Sequence, residues 1–96
     1  MVMTILEARV DRRHWTALKT IYRTETQTLD PGIVQTFLIQ GKPDNHLWRI
    51  LTVWESQAAL DAMHQSGEIP GGVRIFQTAQ VQPTLGVFDL VGEAKI

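Results

Sequence analysis

The stretch His46-Leu47-Trp48-Arg49-Ile50-Leu51-Thr52-Val53-Trp54 runs without a break into Glu55-Ser56-Gln57-Ala58-Ala59-Leu60. Its first nine residues alternate. His46, Trp48, Ile50, Thr52 and Trp54 share one face, and Leu47, Arg49, Leu51 and Val53 share the other. This predicts a strand over 46–54. Ser56 follows as an N-cap, a residue whose side-chain oxygen accepts from the first turn of a helix. The helix runs from 57 to about 66, with Ala59, Leu60 and Met63 on its apolar side and Gly67 placed to end it. A strand passing directly into a capped helix makes one corner of an α+β fold.

Upstream, residues 33–40 also alternate, with Ile33, Gln35, Phe37 and Ile39 opposed to Val34, Thr36, Leu38 and Gln40. The loop Gly41-Lys42-Pro43-Asp44-Asn45 joins this run to the next as a hairpin. Before the Pro31-Gly32 turn, Asp11 caps a predicted helix reaching about Thr26, with Trp15, Leu18 and Tyr22 on one stripe. Residues 2–10 read as the first strand, with Val2, Thr4, Leu6, Ala8 and Val10 on one face and Met3, Ile5, Glu7 and Arg9 on the other. Downstream, 73–81 fit either a short helix or extended chain. A last strand spans 84–91 after Pro83. The glycine-bearing loop 67–72 has no phosphate-binding signature and reads as a lid.

The order β-α-β-β-α-(short helix)-β describes a ferredoxin-like α+β sandwich, one domain over 1–96. The second sheet face is apolar for much of its area, and an uncovered apolar face predicts a partner. A face-to-face homodimer, a dimeric α+β barrel, is expected. Nine basic against ten acidic side chains leave a net charge of −1, so neither nucleic acid nor an anionic membrane is an expected partner. The absence of cysteine excludes disulfides, thiolate nucleophiles and iron–sulfur clusters. With no membrane-length apolar run and no signal-peptide pattern, a soluble cytoplasmic protein is expected.

The segment Ile50 to Leu60, with Ser66 beyond it, resembles the antibiotic-biosynthesis-monooxygenase (ABM) superfamily, in which strand three runs through a Trp and a Ser into the second helix. The turn at Pro31-Gly32 and Pro83 before the last strand also fit. The resemblance implies dimeric α+β barrels with a cavity between sheet and helices. Some members oxygenate polycyclic aromatics without a cofactor, others bind and degrade haem, and many have no known activity. The haem-degrading branch resembles this chain around Trp54, but its functional residues do not carry over. Its strand-one Asn has no counterpart, since Asn45 is the only Asn and lies in the hairpin loop. Its helix Trp falls on Met63 and its His on Val73. The His common in the second helix of the wider superfamily also falls on Met63, one residue before His64.

These readings nominate a small site. His64 is the candidate general base, because imidazole titrates near neutrality. Arg49 and Tyr22 are the candidate anion stabilisers. Trp54, Trp15 and Met63 are the candidate substrate-binding walls. Each residue also has a structural reading: Trp54, Trp15, Tyr22 and Met63 as core, His64 as a surface residue, and Arg49 as the ion-pair mate of Glu7. His14, His46 and His64 show no paired spacing, so no metal is expected. The leading expectation is a domain that binds a small apolar or aromatic molecule and oxygenates it without metal or flavin. The alternative is a non-catalytic ligand-binding or stress-related dimer, and haem binding is a third.

Overall fold

A computed structural model describes residues 1–95. Four strands form one antiparallel sheet: β1 (Val2–Arg9), β2 (Ile33–Gln40), β3 (Leu47–Trp54) and β4 (Thr84–Asp89), in the order β2-β3-β1-β4. Three helices, α1 (Trp15–Glu25), α2 (Gln57–Gln65) and α3 (Gly71–Thr78), complete the ferredoxin-like α+β architecture. α1 and α3 pack on each other, α3 also touches β1, and α2 rests on β3.

The caps act locally as the residue types dictate. Ser56 Oγ accepts from the Ala59 N–H at 3.1 Å and starts α2. Asp11 accepts from the Arg13 N–H at 3.1 Å, but what it caps is a 3-10 turn, Arg12–His14, that leads into α1. Of the ambiguous segment, 73–78 is helix, which begins earlier than its β-branched residues suggest, at Gly71, while 79–81 form its cap and the turn beyond. A Cβ on Gly72 would lie 2.5 Å from Leu6 Cδ1, so glycine here lets the start of α3 sit directly on β1. The 71–72 part of the expected lid is therefore packed helix. The last strand stops at Asp89, which pairs with Val2, the first residue of β1.

One register detail alters the strand faces. A bulge between Ile33 and Gln35 leaves Val34 exposed and turns Ile33 toward Trp54. Ile33 therefore joins the helix side of the sheet, away from Phe37 and Ile39.

Two buried clusters form on the helix side. Leu6, Leu18, Trp48, Ile50, Ile75 and Phe76 fill the space beneath α1 and α3. Val2, Trp54 and Leu60 form a smaller core beneath α2. The turn at Gly32 clamps the second core: Gly32 has φ +90°, its carbonyl accepts from the Glu55 N–H at 2.8 Å, and a Cβ there would meet Ala59 Cβ at 2.5 Å.

Candidate active site

The two cores do not merge. Between them, above β1 and β3, lies a cavity of about 310 Å³. That is roughly twice an engineered cavity of about 150 Å³ that holds benzene, so there is room for fused rings. Its floor is the sheet, with Thr4 and Leu6 from β1, Thr36 from β2, and Ile50, Thr52 and Trp54 from β3. Its walls are Tyr22 at the end of α1, Met63 and His64 of α2, and Val73 and Ile75 of α3.

Tyr22, Trp54, Met63 and His64 thus gather around one space. Trp54 is buried and its indole N–H donates to Thr4 Oγ1 at 3.2 Å, so it offers the cavity an apolar ring and no free donor. Tyr22 is half-buried and its hydroxyl donates to Thr36 Oγ1 at 3.4 Å. Thr36 and Thr52 hydroxyls lie 3.4 Å apart. His64 is exposed at the rim, in the last turn of α2.

Two nominated residues lie elsewhere. Arg49 is on the opposite sheet face, where its Nε donates to Glu7 Oε1 at 2.6 Å. The alternation of β3 dictates this: Trp54 and Arg49 are five residues apart, an odd separation, and cannot share a face. Trp15 stands in the first turn of α1, whereas the cavity meets the last turn, about 10 Å further along the axis. Its indole donates to Val10 O at 3.0 Å, and its ring packs on His46 and Trp48 with centroids 5.4 and 5.9 Å away. It closes the far end of the larger core. Arg12 lies over the same ring at 5.5 Å.

Sequence reasoning missed the row of threonines. Thr36, Thr52 and Thr4 are register partners across β2, β3 and β1. Each sits among apolar residues on the helix-side face of its strand, and that repeated interruption was the available signal. Also missed was the rim pair in which Arg74 donates to Glu25 at 2.9 Å, joining α3 to α1. Among the described residues, no three histidine, aspartate or glutamate side chains gather in metal-ligating geometry.

The family model of the antibiotic biosynthesis monooxygenases matches residues 1–74. The chain belongs to this family. Solved structures share the fold of this ABM protein at low identity. A haem-degrading protein from Mycobacterium tuberculosis aligns with TM-score 0.74 and 18% identity, covering 98% of each chain. SnoaB, a cofactor-independent oxygenase from Streptomyces nogalater, studied as a mutant, aligns with TM-score 0.70 and 14% identity over 96% of this chain and 94% of its own. A conserved protein from Methanosarcina mazei aligns with TM-score 0.70 and 11% identity over 91% and 89%. No curated protein sequence matches the chain. Met63 and Val73, where the haem-degrading branch resembled above carries Trp and His, both line the cavity of this ABM domain, and both are apolar.

Proposed function

We propose that this ABM domain binds a small aromatic molecule of two or three fused rings in the cavity and oxygenates it with molecular oxygen, using no metal or flavin. The observation that carries the reading is the cavity itself. Trp54 gives the floor an apolar end, the hydroxyls of Tyr22 and the threonines form a polar strip, and one imidazole, His64, stands at the rim. Its family membership supports the same chemistry.

The substrate supplies the electrons. His64 takes a proton from an acidic ring carbon, and the resulting anion reduces oxygen as a C–O bond forms. Cleavage of the O–O bond leaves one oxygen atom on that carbon as a carbonyl. The other leaves as water with the carbon's two hydrogens. The hydroxyls stabilise the developing oxyanion by hydrogen bonding.

The reading includes a two-fold dimer through the outer sheet face. Phe37, Ile39 and Phe88 are exposed there at 43%, 42% and 53%, beside Met3, Ile5 and Leu51. Paired with Glu7, Arg49 leaves no net charge in that apolar field.

Oxygen consumption with anthrone tests the activity, since its methylene is acidic and readily oxidised to a carbonyl. The wild-type protein is expected to exceed the uncatalysed rate, and His64→Ala to lose a hundredfold or so of that enhancement. Binding of anthrone without added oxygen uptake would favour the non-catalytic dimer. That second reading has its own support: no hydrogen bond to a described residue orients the His64 imidazole.

A further inference from the structure

Hydroxyls lining the cavity can be counted hydrogen by hydrogen. Tyr22, Thr36, Thr52 and Thr4 carry four O–H hydrogens. Tyr22 spends one on Thr36, and the Thr36–Thr52 contact uses a second, whichever of the two donates. Thr4 accepts from the Trp54 indole and has no acceptor for its own hydrogen among the described residues. Two hydrogens are left over, one on Thr4 and one on the Thr36–Thr52 pair. Thr4 is only 7% exposed, so a ligand that displaces water from its hydroxyl must replace the lost acceptor. Because Thr4 and Thr52 are register partners on adjacent strands, their Cβ atoms lie about 4.5–5.5 Å apart on the same face. One oxygen atom can reach both.

We propose that Thr4 and Thr52 form a seat for a single acceptor oxygen, a ring carbonyl or phenolate, so that the aromatic ligand must carry such an oxygen on the edge facing the sheet. This rests on the cavity being the ligand site, as proposed above. The indole that donates to Thr4 polarises its hydroxyl and strengthens it as a donor. The Tyr22 and Thr36 hydroxyls do the same for Thr52 when the row runs toward it. Trp54 thus positions and tunes Thr4 while its ring borders the ligand. The seat selects oxygen-bearing rings over hydrocarbons and fixes which edge of the ligand faces the floor.

The test compares 1-tetralone with tetralin, two-ring probes that differ by one carbonyl oxygen, in calorimetric titrations of the wild-type protein and of Thr52→Val and Thr52→Ser. The ratio of the two affinities cancels the shared ring contacts. In Thr52→Val the ratio is expected to fall about three- to tenfold against tetralone, and Thr52→Ser to restore it. The carbonyl stretch of bound 1-tetralone is expected at lower frequency in the wild-type protein than in Thr52→Val. An unchanged ratio and an unshifted carbonyl band, with both probes bound, would overturn the seat and leave the cavity reading standing. If neither probe binds the wild-type protein, the cavity reading fails and the seat with it.

Discussion

The indole N–H of Trp54 donates to the hydroxyl of Thr4, 3.2 Å away on the neighbouring strand, and this bond joins the smaller core to the cavity floor. Thr4→Val leaves the buried indole N–H without an acceptor and is expected to cost about 1–3 kcal/mol in urea unfolding. Trp54→Phe removes the donor together with some packing and is expected to cost a similar amount. The double variant is expected to be more stable than the sum of the two losses implies, because the second substitution no longer orphans a partner.

Gln80 has φ +60° just past the end of α3, where Gln80 N–H bonds to Gln77 O and Val81 N–H to Phe76 O. This is a Schellman cap with a side chain at the left-handed position that favours glycine. Gln80→Gly is expected to stabilise the fold by about 0.5–1 kcal/mol, seen as a raised melting temperature.

Gly32→Ala is expected to cost at least about 2 kcal/mol. It combines a left-handed backbone with a Cβ 2.5 Å from Ala59, and the turn it distorts abuts Ile33 at the cavity. Thermal unfolding and anthrone binding are expected to suffer together.

The Arg9 guanidinium, hydrogen-bonded to Asp44 in the hairpin loop, holds that carboxyl below its ordinary value, assisted by the His46 N–H. A depressed folded-state pKa contributes stability above the unfolded carboxylate value of about 3.9, and that contribution is lost as pH falls through the folded value. Arg9→Gln is expected to raise the Asp44 titration midpoint in NMR. The stability difference between variant and wild type is expected to be small, because the pair is exposed, and to vanish in acid.

If the outer face pairs two copies, Phe37→Glu with Phe88→Glu buries four carboxylates per dimer and is expected to halve the mass measured by sedimentation while keeping the far-UV circular dichroism of the monomer. A wild-type protein that sediments as a monomer would remove the dimer from the reading.

Much of the fold was written in local chemistry. The alternation in 46–54, the Ser56 cap and the Gly/Pro turns act within a few residues, so strand, helix and order follow from the chain alone. Arg49 and Trp54 stand at opposite parity on one strand, which was enough to place the guanidinium away from the cavity. Other features had no local signature. The bulge that turns Ile33 inward arises from pairing with β3, and the early start of α3 at two glycines is held by contact of Gly72 with Leu6. The site divided along the same line. Residue type marked Tyr22, Trp54, Met63 and His64, and helical periodicity put Trp15 and Tyr22 on one stripe. Only the tertiary structure showed that the cavity meets the end of α1 and not its start, because that depends on where two separate cores leave a gap. The same holds for Thr4, Thr36 and Thr52. They are dispersed along the chain, and the register of three strands, a long-range property of the sheet, makes them one row of hydroxyls.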